Sequence, residues 1–235
     1  MIVSIILSIA SLICLGLDHF CRIADHSILS LVFKGCASVC FVALAFYSYF
    51  KCGNKDEKFK KLSNYVVTAL CLSFAADVML GLKEVELAGD AAFIVGFLLF
   101  VAAHITYLLA FSVYGKPDKI FYIMAAILTA VLICYAGLTS WFDFGPLFPL
   151  ICVYSIIVSC VVFRSLSFKE RNSFNAKLMA VGMILFVLSD MLLLFWIFPR
   201  DGVSKSVSSV IFIISNSCYY IGQLAAAHSI SKTYS

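Results

Sequence analysis

The sequence predicts an all-α polytopic membrane protein, a bundle of eight transmembrane helices with both termini in the cytoplasm. Composition, the spacing of apolar runs and the placement of lysine and arginine each lead there. Of 235 residues, 63% are hydrophobic and 13% charged, with a mean hydropathy of +1.04. A soluble domain carries about 25% charged residues, so this charge is too sparse to coat a water-exposed surface. Soluble enzymes, disordered tails and nucleic-acid-binding domains are thereby excluded. The net charge of +4 reflects uneven connectors rather than a basic face.

A spanning helix needs roughly 20 mostly apolar residues. The first such run, 1–17, reads as a span rather than a cleaved leader, because no basic segment precedes it and no clear cleavage site follows. The second, 28–50, ends at Lys51, and the third, 65–82, lies between the lysine-rich stretch 51–63 and Lys83. The fourth, 90–112, follows Gly89, and the fifth, 119–139, follows the polar stretch 114–118. The sixth, 147–163, begins after Pro146; the seventh, 176–198, stops before Pro199; the eighth is 205–230. Backbone polar groups in lipid must bond within their own segment, so helices are the expected form. Every connector is short, which predicts a single integral membrane domain over 1–235.

The cations alternate. Even-numbered connectors and the C-terminal tail hold Lys51, Lys55, Lys58, Lys60, Lys61, Lys116, Lys119, Arg164, Lys169, Arg171, Lys177 and Lys232, against Arg22, Lys83, Arg200 and Lys205 on the odd ones. Positive residues gather on cytoplasmic loops, so this parity supports both the helix count and the orientation. A multi-pass protein of a bacterial inner membrane or a eukaryotic endomembrane fits. Most of the ten cysteines fall inside apolar runs with no C-x-x-C pair, and they read as packing residues. Cys36 and Cys40 form a small-x-x-x-small pair suited to a helix contact.

An ionisable side chain inside a membrane helix is costly and marks function by default. Here these are Lys34, Asp77, His104 and Asp190. Asp90 opens its helix and reads as an N-cap, while His19, His26 and His228 read as interfacial. From the helical rise, Asp77, Lys34 and Asp190 fall about 8, 9 and 12 Å below the outer face, one layer drawn from three helices. His104 falls about 21 Å in, level with Tyr219. Two carboxylates near one cation are expected to hold one proton between them, because like charges at close range cannot both ionise cheaply. One neutral acid beside one carboxylate is equipment for acid–base chemistry. A plain ion pair with Lys34 would leave the second acid uncompensated.

Two polar stripes accompany the acids. Phe93, Gly96, Phe97, Phe100, His104, Tyr107 and Phe111 recur at three- and four-residue steps along one helix face, and Asn216, Tyr219 and Gln223 do so on the last helix. Facing lipid, these groups would go unsatisfied, so both stripes are expected to turn inward towards the aspartates.

Phe74-Ala75-Ala76-Asp77-Val78-Met79-Leu80, the Phe93–Phe111 pattern, Leu188-Ser189-Asp190-Met191-Leu192 and Tyr219-Tyr220-Ile221-Gly222-Gln223 together resemble the YhhN family, the lysoplasmalogenases. The similarity runs in order from about Lys34 to Ser229. Gly35 stands where the family often has Pro, and Ala76 where it often has Gly; neither change removes a reactive group. The resemblance implies hydrolysis of the vinyl ether bond of lysoplasmalogens to a fatty aldehyde and a glycerophospho-base, without a cofactor. On that basis Asp77 and Asp190 are the candidate catalytic pair, with neither assigned as acid or base. Lys34 would tune them or meet the lipid phosphate, and His104, Tyr107, Asn216, Tyr219 and Gln223 would bind or orient substrate and water. The implied partners are a lyso-ether phospholipid and the surrounding membrane lipids, with no nucleic acid; oligomeric state is left open.

The same carboxyl pair would serve a small proton-coupled transporter or a lipid-binding membrane protein. Asp77 and Asp190 each lie on the third helix of a four-helix half, as parallel repeats in some carriers would place them. An intramembrane zinc hydrolase is disfavoured. Zinc needs three or four well-placed ligands, and His104 is the one deep histidine.

Overall fold

Helix formation follows the apolar runs, and helix ends follow polar side chains that can satisfy free backbone groups. The computed structural model describes residues 2–52, 56–115, 119–138, 144–167, 173–198 and 204–231. Its helices are α1 (Ile2–Ile23), α2 (Ser27–Lys51), α3 (Glu57–Glu84), α4 (Gly89–Ser112), α5 (Lys119–Leu138), α6 (Phe148–Leu166), α7 (Phe174–Ile197) and α8 (Lys205–Ser229). All eight are long and apolar enough to cross a membrane, and no strand occurs among the described residues. The protein is an integral multi-pass membrane protein. Asp56, Ser173 and Ser204 cap α3, α7 and α8, each side chain accepting from a backbone N–H three residues on. A single 3-10 turn, Gly145–Leu147, leads into α6, whose first turn holds Pro149.

Two boundaries shift far from the apolar runs, and one cap is reassigned. The first helix continues past residue 17 to Ile23, because Asp18 and Arg22 find partners inside the bundle and need not leave it. The third begins at Glu57 rather than 65, since the lysines of its first turns lie outside the apolar stretch yet still favour helix. Asp90 is not an N-cap. Ala88 holds that position without a side-chain bond, and Asp90 sits in the first turn, paired with exposed Lys83.

Sequential helices pack as pairs, α1 with α2, α3 with α4, α5 with α6 and α7 with α8. The closest seam joins α7 to α8. A Cβ added at Gly182 would lie 2.8 Å from the carbonyl oxygen of Gly222, and one at Gly222 would lie 2.8 Å from that of Gly182. Two glycines therefore let these backbones touch, as small residues do between membrane helices. The cysteine pair lies off the core-facing side of α2, near Cys14 of α1. Cys36 is exposed on the outer face of α2, whereas Ala37, Ser38 and Phe41 turn inward. Among the described residues the backbone of α5 comes close to that of α6 alone, and side chains such as Tyr135 and Phe195, with ring centres 5.9 Å apart, bridge the wider gap from α5 to α7. The outer surface is a coat of apolar side chains such as Ile5, Ile9, Val39, Leu98, Ile127 and Val210, the face a bilayer requires.

Candidate active site

Five helices enclose a cavity of about 260 Å³, with Lys34 from α2, Asp77 and Glu84 from α3, Phe93 and Phe100 from α4, Asp190 from α7, and Asn216 and Tyr219 from α8 on its walls. Asp77 and Asp190, far apart in sequence, thus line one space. Asp190 keeps 13% of its side-chain surface open. Phe100, Phe186 and Tyr219 form an edge-on aromatic cluster beside the two acids, with ring centres 5.3–6.0 Å apart.

Each acid has its own partners. One Asp77 oxygen, Oδ2, accepts from Ser38 Oγ at 2.7 Å and from Tyr219 Oη at 2.8 Å. Tyr220 Oη, 2.9 Å from Ser38 Oγ and 3.0 Å from the Lys34 carbonyl, fixes Ser38 from behind. Asp190 Oδ2 accepts from Tyr154 Oη of α6 at 2.7 Å and lies 3.4 Å from His104 Nε2. No hydrogen bond joins the two carboxyl groups among the described residues, so the geometry is not that of one proton shared directly between them. Nor does Lys34 clasp either aspartate. Its ammonium donates to Glu84 Oε1 at 3.3 Å, and the other Glu84 oxygen accepts from Arg22 at 2.5 Å.

Lys34 and Glu84 form a charged rim at one end of the cavity, and Arg22 stands behind Glu84 in an adjoining surface cleft. Arg22 lies over the Phe212 ring, 3.9 Å from its centre, with Trp196 beside it, a placement that binds a cation through the ring face. Below the rim, Asp18 is fully buried; it accepts from Ser30 at 2.5 Å and from Asn216 at 3.4 Å. Away from the rim the character changes. Two apolar recesses of about 30 Å³ each meet at Asp190 and Tyr154, one continuing past Phe97 and Phe198 and the other past Leu132, Ala136 and Val187 between α5, α6 and α7.

The predicted site residues separate into three groups. Lys34, Asp77, Asp190, Asn216 and Tyr219 line the cavity. His104 stands behind Asp190, although the helical rise put it about 9 Å deeper; helix ends in a tilted bundle do not share a plane. Tyr107 and Gln223 face inward but not into the cavity, and instead bond each other, Oη to Oε1, at 3.0 Å. Sequence reasoning missed Arg22 and Glu84, which sit near helix ends and read as connector, and Ser38, which carries no charge to mark it. It also missed Tyr154, whose position midway along its helix was a signal, because a hydroxyl at that depth needs a partner. No cluster of three His, Cys, Asp or Glu with metal-holding geometry occurs among the described residues.

The profile described as the YhhN family matches residues 29–230. No curated protein and no solved structure matches the chain.

Proposed function

The chain belongs to the YhhN family, which includes lysoplasmalogenases, and from that premise we propose that it is an intramembrane hydrolase of the vinyl ether bond of lysoplasmalogens. The observation that carries the proposal is the placement of Asp77 and Asp190 on one cavity with a charged rim and apolar recesses. A lysoplasmalogen has the matching shape: one hydrocarbon chain, a reactive enol ether, then a phosphodiester head group.

In this reaction a proton adds to the β-carbon of the double bond and leaves an oxocarbenium ion. Water attacks that cation and gives up a proton, and the hemiacetal collapses to a fatty aldehyde and a free glycerol hydroxyl. A carboxylic acid supplies the first proton, and a carboxylate stabilises the cation or takes the proton of water, a division of labour akin to that of glycosidases. General acid–base catalysis of this kind contributes about a hundred- to ten-thousand-fold. Lys34 meets the phosphate at the rim, with Arg22 adding positive charge from behind Glu84, and the alkenyl chain lies along the apolar recesses towards the gap between α5 and α7. The lysine and arginine pattern turns the rim away from the cytoplasm.

Purified protein in detergent, given a lysoplasmenylcholine, is expected to release aldehyde and glycerophosphocholine in equal amounts. Asp77→Asn and Asp190→Asn are expected to lose that release while keeping the melting profile of the parent. Absence of aldehyde from the parent, or full turnover by both variants, overturns the proposal. Proton-coupled uptake by proteoliposomes without hydrolysis would favour a carrier instead.

A further inference from the structure

Resting on the hydrolase reading, we propose that the two aspartates have fixed and different roles. Asp190 is the acid that protonates the substrate, its proton held in place by His104, and Asp77 is the standing carboxylate. His104 and Tyr154 are positioning residues for Asp190.

The direction of one hydrogen bond decides the matter. His104 is fully buried, and its Nδ1 lies 2.9 Å from the carbonyl oxygen of Phe100, one turn back on α4. A carbonyl oxygen can only accept, so the ring proton is on Nδ1. The Nε2 of that neutral ring is then an acceptor, and it faces Asp190 Oδ2 at 3.4 Å with no hydrogen-bond partner of its own. Two acceptors pressed together out of water repel. A single proton on Asp190, directed at Nε2, turns the contact into an attraction. Tyr154 Oη also reaches Nδ1, at 3.3 Å, but donates to Asp190 over the shorter 2.7 Å. Moving the proton onto His104 would bury an imidazolium and a carboxylate among Phe186, Phe100 and Tyr154, which costs more than a neutral pair.

The cations around the cavity agree with this division. Arg22 and Lys34 face Glu84 on the wall that also holds Asp77, and Lys83 is taken by Asp90. Among the described residues no lysine or arginine makes an ion pair with Asp190. Asp77 instead receives two hydroxyl protons on one oxygen, the setting that favours a carboxylate.

The roles close a cycle. As substrate seats in the cavity, the Asp190 hydroxyl turns from Nε2 towards it and gives its proton to the β-carbon as the π pair forms the C–H bond, leaving a carboxylate beside the oxocarbenium ion. Water bonds to the cationic carbon and passes a proton to Asp77, leaving a neutral hemiacetal. On collapse, the hemiacetal hydroxyl proton returns to Asp190, the C–O bond to glycerol breaks, and Asp77 delivers its proton to the departing oxygen. One water is consumed and both side chains are reset.

Infrared spectroscopy of the full chain in dodecyl maltoside, a detergent without a carbonyl group, reads the proton directly. The carbonyl stretch of a protonated carboxylic acid, identified by its shift in D₂O, is expected in the parent, lost in Asp190→Asn and kept in Asp77→Asn. His104→Phe and Tyr154→Phe test the assignment without removing the acid. Each is expected to move the band and to lower kcat at least tenfold, with KM changed less than twofold. A band lost in Asp77→Asn but kept in Asp190→Asn, or unmoved by both positioning variants, overturns the assignment and leaves the hydrolase reading standing. Failure of the parent to release aldehyde would sink the hydrolase reading while the band still located the proton.

Discussion

The α7–α8 seam offers a direct test of how the bundle sets the spacing of the site. In Gly182→Ala the new Cβ would lie 2.8 Å from the Gly222 carbonyl oxygen and 3.3 Å from both Ala225 Cβ and Ala226 N. A comfortable carbon–oxygen contact is about 3.3 Å, so the backbones must part by roughly half an ångström. None of these atoms can rotate aside, because two are helix backbone and the third is a Cβ fixed to it. Overpacking of this kind costs about 1–3 kcal/mol. The same displacement reaches the chemistry, since Asp190 rides on α7 and Tyr219, which bonds Asp77, rides on α8. A misplacement of about 1 Å can cost a hundredfold in rate, so roughly half of that predicts a kcat about tenfold lower. Thermal unfolding by circular dichroism and aldehyde release measure the two effects. Gly222→Ala should behave alike, and the double variant should cost less than the sum, because the helices part only once. A Gly182→Ala protein that melts and turns over like the parent would refute the claim that this seam fixes the geometry.

Two further outcomes follow from the rim and the recesses. Glu84→Gln leaves Arg22 and Lys34 sharing a neutral partner in a mostly buried setting, and should lower stability by about 1–3 kcal/mol; adding Lys34→Met should recover part of that loss in a double-mutant cycle of melting temperatures, whereas additive losses would show that the pair is not coupled. Ala136→Leu fills the recess between α5 and α7 and should raise KM several-fold for long-chain lyso-lipids while sparing short-chain ones; equal effects on both would remove the hydrocarbon chain from that path.

The helices were legible because a bilayer forces each span to declare itself as an apolar run. Asp77, Asp190, Lys34 and Tyr219 were legible for the complementary reason, that a polar group in such a run must turn away from lipid. That logic yields inwardness and no more. Tyr107 and Gln223 obey it by bonding each other away from the cavity, and nothing in helical spacing separates that arrangement from a place beside the acids. Glu84, Arg22 and Asp18 were hidden because a charge near a helix end looks like a loop, although their partners lie on other helices. The separate hydrogen-bond sets of the two aspartates depend on Ser38 and Tyr154, which reach them from helices that the sequence alone does not place beside them.

The cavity is charged at its rim and apolar along its recesses, with Asp190 where the two meet. A bond broken there leaves one fragment in each phase. On the proposed reaction, the aldehyde would withdraw along its own hydrocarbon into the bilayer, and the phospho-base would depart past Lys34 into water. Neither exit obstructs the other, and the reverse reaction would need both phases to deliver a fragment at the same moment. Separation of the products would then add to the driving force that hydrolysis itself supplies.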